Sequence, residues 1–559
     1  MSVPVQAESR DAAPHTQPTD GPAATWFIGA LCAVFLLQGF ALIPYVGVQN
    51  DEVLFASGIY QPVASEWTVA VRGHALPTME MSYIGSLKTW LYAGIFKLWP
   101  PSPYSIRVPM LLLGAITIWL LFLLMRETVG MRAAVTACTL LAFDTTYLMT
   151  CCFDWGPVAI QHALLVGAIL SLWRAHVSGG LLPLAAGFFL LGLGVWDKAL
   201  FAWMVAGLGA AALAVFPREM LAKITPVRVA AALLAFALGA APLIQYNAKN
   251  GLKTFRSNAH YSAEDLGSKV TILRVSLEGS SLLGYMARNE PVVVAAKPEG
   301  PLEETSVAAS EALGAPRTGL LMIAAVAALA LAPWLWTTPA RRPMLFALIF
   351  MAVTWAQMAF VKDTGSSAHH AVLMWPFPEF FIGVVFAGAS KYAGRAGLIA
   401  LAAAAAVVSA SSLAVTNQHL TQLIEDGPTT IWTDASAPLL TYLEEHPAKT
   451  VYVMDWGILD TLRALSRGGL PLRFGSDDVA QPEIDDGARA RIARMLAEKD
   501  AIFVGHTDDN QIFPERNERM QEAADAAGYR KRVMKMIEDR NGRPIFEIYR
   551  WVRKPAGGE

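Results

Sequence analysis

The chain has 559 residues, 54% of them hydrophobic and 16% charged, with a mean hydropathy of +0.40 and a net charge of -2. Soluble domains carry about a quarter charged residues, so this composition excludes an ordinary soluble enzyme and points to a membrane protein, and the charge balance offers nothing to nucleic acid. The four cysteines, Cys32, Cys138, Cys151 and Cys152, all lie in or beside apolar runs, which argues against a disulfide framework.

In chain order, residues 1–24 form a polar tail rich in Pro, Thr and Gln, expected to be disordered and cytoplasmic. The apolar run 25–47 is longer than a signal-peptide core and shows no small-residue cleavage site, so it is expected to remain as the first span. Further runs of spanning length lie near 105–126, 132–151, 156–175, 227–245, 318–337, 343–361, 371–390 and 396–416. As one helix the stretch 180–216 would reach about 54 Å, and it has Asp197 and Lys198 at its centre. Charges there cost roughly 3 kcal/mol each, so two spans turning at Trp196-Asp197-Lys198 are expected. The fold class that follows is mainly α: a polytopic helical membrane protein of about 11 transmembrane helices.

The run 84–99 is short, aromatic and interrupted by Lys88 and Lys97, which suits a helix lying in the interface. With it outside the count and the N-terminus cytoplasmic, each short inside loop is basic: Arg126/Arg132, Arg174, Arg218/Lys223/Arg228, Arg341/Arg342 and Lys391/Arg395. The same threading puts the loops 48–104 and 246–317 on the extracytoplasmic side, making 25–416 the membrane domain of an inner-membrane protein. Residues 417–559 read as a small extracytoplasmic α/β domain. TVYVMDW (450–456) and AIFVGH (501–506) read as strands, 458–467, 486–499 and 514–527 as helices, and 531–551 as a hairpin turning at Asn541-Gly542.

Polar residues capable of chemistry gather at the outer helix ends. Asn50-Asp51-Glu52 follows the first span; a carboxylate there suits general-base work on an acceptor hydroxyl, and equally suits a helix cap with Glu52 solvated. Asp154, ahead of Gly156-Pro157, has the same two readings. Lys198 is a natural phosphate anchor, or half of a self-neutralising turn with Asp197. Lys88 and Arg107 flank the second span, where they could meet phosphate oxygens or snorkel to the interface. Lys362-Asp363 and His369-His370 form the densest polar group. Adjacent imidazoles on a helix point apart and no HExxH spacing is present, so a divalent metal ion stays open.

In order and topology these segments resemble the glycosyltransferase C superfamily, in the branch of protein O-mannosyltransferases and bacterial aminoarabinose transferases. YIGSLKTWLYAGIFKLWPPSPYSIRVPMLLLG (83–114) resembles that branch's amphipathic segment and Arg-x-Pro opening. GLGVWDKALF (192–201) resembles its Gly-rich run ending in Lys, and AHHAVLMWPF (368–377) its paired-His segment. The resemblance implies Asp51 as the catalytic carboxylate, Glu52 as its neighbour and Asp154 as a second acidic residue. Lys198 would contact the donor phosphate, with Arg107, Lys88, His369 and His370 as further phosphate-binding candidates. Many bacterial members carry Lys-Pro-Pro where this chain has Tyr83-Ile84-Gly85.

The expected function is inverting transfer of a sugar from a polyprenyl-phosphate donor to an extracytoplasmic acceptor hydroxyl on protein, lipid or envelope glycan, with membrane lipid as the surrounding partner. A transporter or lipid flippase is the alternative. Transporters place charge near the midplane, often between related halves, whereas here it collects at one edge and no internal repeat is visible.

Overall fold

A computed structural model describes residues 22–258, 260–288, 297–314, 317–362 and 365–555. Most of the expected tail 1–24, and Asp363, lie outside these.

Each expected span falls on a helix or a bent pair of helices. Pro22–Tyr45, Pro103–Thr128, Val158–Ser178, Arg341–Phe360 and the run Phe377–Glu425 are long and apolar enough to cross a membrane. Met131–Phe143 continues into Thr145–Cys152 across a 59° bend, and Pro226–Gly239 into Ala241–Lys249 across a 72° bend. The first bend has a sequence cause: Asp144 caps the second piece by accepting from the Tyr147 amide at 2.6 Å, which favours a helix start over helix continuation. Leu181–Asp197 and Phe201–Val215 are separate helices hinged at Lys198, as the charge argument requires. Helix Gly394–Glu425 runs nine residues beyond the expected limit at 416, because Gln418, His419 and Leu423 are buried against the bundle rather than released to water.

The loop 48–104 is more structured than its sequence suggests. Strands β1 (Trp67–Val71), β2 (His74–Met81) and β3 (Ile84–Gly85) form an antiparallel meander. Arg72 and Gly73, at φ 50° and 83°, make its first turn. Helix Leu87–Leu98 follows. Its 12 residues span about 18 Å, too short to cross a bilayer. It buries Lys88, Thr89 and Tyr92 and exposes Trp90, Leu91 and Leu98, as an interfacial helix does.

Two buried cations satisfy carbonyls that helix ends leave without partners. Lys269 Nζ donates to the carbonyls of Ala359 and Val361 at 3.1 and 2.7 Å, closing helix Arg341–Phe360. Arg107 does the same for the first span, as described below.

The α/β unit holds strands β4 (Thr450–Val453), β5 (Leu472–Phe474), β6 (Ala501–His506), β7 (Tyr529–Glu538) and β8 (Pro544–Arg553) in the order β5-β4-β6-β8-β7. The first three are parallel and β8 joins β6 antiparallel. The expected strands, helices and hairpin are present. Strand β5 and helix Ser436–Glu445 are additional.

This unit is bonded to the loop after the first span. Gly47 N donates to Trp432 O at 2.9 Å, Asp460 N to Asn50 Oδ1 at 3.1 Å and Ser57 Oγ to Asp460 Oδ1 at 2.6 Å. Arg463 pairs with Asp460 and donates to Gln61 Oε1 at 2.9 Å. The approach is so close that a Cβ on Gly47 would lie 1.7 Å from Thr433 O, so only glycine fits there.

Candidate active site

A cavity of about 250 Å³ opens where these elements meet. Its wall combines Asp51, Glu80, Lys88, Lys198, His369 and His370 with Tyr83, Trp155 and Trp456. Five of the eight sequence candidates, separated by up to hundreds of residues, therefore share one space.

Asp51 does not cap a helix. The next helix, Ala56–Tyr60, starts at Phe55 with no side-chain cap. Gln49 makes the turn instead: its Oε1 accepts from the amides of Asp51 and Glu52 at 2.7 and 3.0 Å. That frees the Asp51 carboxylate for the cavity. Burial pushes its pKa above the usual range, while Asn50, Gln49 and Lys198 pull it back.

Glu52 is neither solvated nor in the cavity. It is buried in a forked ion pair with Arg107: Nε to Oε1 is 2.9 Å and Nη2 to Oε2 is 3.0 Å. The rest of the guanidinium donates to the carbonyls of Ile43, Val46 and Gly47 at 3.1, 2.6 and 2.6 Å. Arg107 is thus fully used in holding the end of the first span, and it neither snorkels to the interface nor lines the cavity. The pair fixes the backbone from which Asp51 projects.

Asp154 is also spoken for. Its Oδ2 accepts from Lys88 Nζ at 2.9 Å, and its Oδ1 accepts from the Ala159 amide at 3.0 Å in the first turn of helix Val158–Ser178. Lys88 donates further to the Asp154 and Glu52 carbonyls at 2.7 and 3.2 Å. Lys88 reaches the cavity wall, but its charge is balanced by Asp154.

Lys198 is a second cation on the wall beside Lys88. It sits in the turn after Asp197 and is buried. Burial pushes its pKa down to about 8, against the raising influence of Asp197, Asp154 and Asp51. Gly156 makes room for it. That residue has φ 137°, and a Cβ on it would meet Lys198 Nζ at 3.1 Å.

The two imidazoles differ from expectation. Rather than pointing apart, the His369 and His370 rings lie 4.1 Å centre to centre. His369 Nδ1 bonds Ser367 Oγ at 2.7 Å and His370 Nδ1 accepts from the Gly365 amide at 3.2 Å. Burial, with Lys198 nearby, holds both pKa values well below the ordinary imidazole value, so at neutral pH they serve as uncharged hydrogen-bonding groups. Among the described residues no cluster of three or more His, Cys, Asp or Glu is arranged to hold a metal ion.

Three wall residues escaped sequence reasoning. Glu80 is held by Ser65 Oγ at 2.8 Å and Thr89 Oγ1 at 2.5 Å, and burial raises its pKa. Trp155 packs edge-on to His369 at 5.4 Å. Trp456 arrives from the α/β unit just after β4.

Residues 86–244 match the family of dolichyl-phosphate-mannose-protein mannosyltransferases. No curated protein matches the sequence. Among solved structures, ArnT from Cupriavidus metallidurans, bound to undecaprenyl phosphate, superposes with a TM-score of 0.57 at 12% identity, over 94% of this chain and 98% of that one. The Archaeoglobus fulgidus oligosaccharyltransferase, in its apo form, superposes with a TM-score of 0.52 at 12% identity, over 96% of this chain and 75% of that one. The chain shares its overall fold with these two structures.

Proposed function

We propose that this chain is a member of the glycosyltransferase C superfamily and transfers a sugar from a polyprenyl-phosphate donor to an acceptor hydroxyl at the extracytoplasmic face of the inner membrane, with inversion. The observation that carries the proposal is the pairing, in one cavity, of the Asp51 carboxylate with a buried lysine and two neutral imidazoles. The family match over 86–244 and the likeness to a structure that binds undecaprenyl phosphate support the donor class.

Each wall has a task. Asp51, whose pKa is raised by desolvation, takes the proton from the acceptor hydroxyl as that oxygen attacks the anomeric carbon. On the other side Lys198 balances the charge that grows on the departing phosphate, and the His369 and His370 ring N–H groups donate to its oxygens. In a buried site such electrostatic help is stronger than in water. Attack from one side with departure on the other inverts the anomeric centre. Trp155 and Trp456 give the sugar ring apolar faces. The Lys88–Asp154 and Arg107–Glu52 pairs hold the frame.

The test uses purified protein in lipid nanodiscs, with thermal stabilisation measured for polyprenyl-phosphate hexoses and pentoses and for nucleotide sugars. Stabilisation by one lipid-linked class alone, followed by transfer with inverted anomeric configuration by NMR, is expected. Stabilisation by nucleotide sugars only, or a retained configuration, contradicts the reading.

A further inference from the structure

At the other end of the membrane bundle, far from Asp51, two cavities adjoin. Helix Pro103–Thr128 connects the two regions: Arg107, near its start, binds Glu52, and Thr128, at its end, lines both cavities. Its 26 residues set the ends about 39 Å apart. The catalytic cavity and this pair therefore belong to opposite membrane faces.

The two cavities differ in chemistry and share Thr128, Pro339 and Pro343 as a common border. One has a volume of about 690 Å³ and carries Arg132 and Lys391. Among the described residues neither cation has a carboxylate partner within 4.0 Å. The first turns of helices Met131–Phe143, Arg341–Phe360 and Gly394–Glu425 also come to this cavity, and none has a side-chain cap. Helix starts carry partial positive charge, so they add to the two cations.

The other cavity, about 360 Å³, is walled by Leu172, Trp173, Phe216, Phe346, Phe377 and Phe380. The Glu219–Arg342 ion pair, at 2.8 Å, sits at its polar rim. Exposed aromatics mark the depth. Trp334 is 68%, Trp336 47% and Tyr392 69% exposed, as residues of an interfacial belt are. A basic chamber at headgroup depth, continuous with an aromatic slot, has the two-part chemistry of a lipid.

We propose that this end of the molecule holds one anionic phospholipid, its phosphate at Arg132 and Lys391 and one acyl chain in the aromatic slot. The charge complementarity and the apolar extension favour a lipid over free phosphate, which would leave the slot without an occupant. The bound lipid ties together the starts of three helices that belong to different parts of the sequence, so its loss loosens the bundle.

The experiment is native mass spectrometry and melting of the full-length protein in detergent, titrated with phosphatidylglycerol, phosphatidylcholine, undecaprenyl phosphate or inorganic phosphate. Phosphatidylglycerol is expected to be retained in a ratio near one per chain, to raise the melting temperature and to bind at least ten-fold more tightly than phosphatidylcholine. Arg132→Ala/Lys391→Ala should lose that selectivity, and Leu172→Trp, which fills the slot with both cations in place, should weaken binding. Lys198→Ala, which alters only the opposite cavity, should leave it in place. The lipid-free melting temperature of each variant reports whether it is folded. Equal retention of both phospholipids, unchanged binding in the folded double variant and Leu172→Trp, full displacement by inorganic phosphate, or preference for undecaprenyl phosphate would each overturn the proposal.

Discussion

Replacing Arg107 with Met removes a guanidinium that makes five hydrogen bonds, two to Glu52 and three to carbonyls at the end of the first span. Methionine matches the length of the stem but leaves the buried Glu52 carboxylate without its cation. Breaking one side of a buried ion pair costs about 3–5 kcal/mol, and the three carbonyls add about 1–3 kcal/mol for each that finds no replacement. The melting temperature of the donor-free protein should fall by many degrees. The double change Glu52→Leu/Arg107→Met removes the stranded charge and should recover part of the loss, though not the carbonyl component. Arg107→Lys should fall between, since lysine keeps the charge without the fork. Melting is followed by tryptophan fluorescence in nanodiscs, with donor affinity measured alongside. If the melting temperature of Arg107→Met matches wild type while donor affinity drops, Arg107 holds phosphate and its role in fixing the first span is wrong.

The remaining predictions concern the cavity and its side of the membrane. Lys198→Ala should weaken donor binding more than Lys198→Arg, and wild-type donor affinity should decline as pH rises through about 8, where Lys198 loses its proton. The linked stability runs the other way. The folded-state pKa lies below the ordinary 10.5, so the unfolded chain holds more protons between about 8 and 10.5, and stability rises with pH across that window. An identical decline in Lys198→Arg would assign the titration to another group. Gly156→Ala should cost about 1–3 kcal/mol of backbone strain and crowd Lys198 Nζ, lowering both melting temperature and donor affinity; wild-type values for both would contradict the packing. Single cysteines at Met220 and Thr338 should label only from the cytoplasmic side and one at Arg489 only from outside, which is the orientation that the positive-inside rule predicts from the basic loops. External labelling at 220 would move the Asp51 cavity to the cytoplasm.

Much of the fold was legible because its signals are local. Apolar runs of spanning length mark the helices, and the cost of burying Asp197 and Lys198 located the hinge between two of them. The Asn541-Gly542 pair marked the β7–β8 turn. Proximity of Asp51, Lys88, Lys198, His369 and His370 was legible through topology, since all sit at helix ends on one side. The partners of those residues were not. Glu52 looks solvated in sequence, and only the packing of the first span against Pro103–Thr128 brings Arg107 onto it. Glu80 lies in a loop whose β-meander shows weak alternation, so nothing local aims it inward. Trp456 and Asp460 lie some four hundred residues from Asn50 and Ser57, and a contact at that distance leaves no trace in periodicity.

The central claim is that Asp51 is the base, and Asp51→Asn tests it most directly. Asparagine keeps the shape and the polar contacts with Asn50 and Gln49 but cannot take a proton at neutral pH. A general base contributes about 10²–10⁴-fold, equivalent to roughly 3–5 kcal/mol of barrier. Transfer by purified Asp51→Asn from polyprenyl-phosphate sugar should therefore fall by at least a hundred-fold, with melting temperature and donor affinity close to wild type. Turnover within a few-fold of wild type in a folded, donor-binding protein would contradict the account.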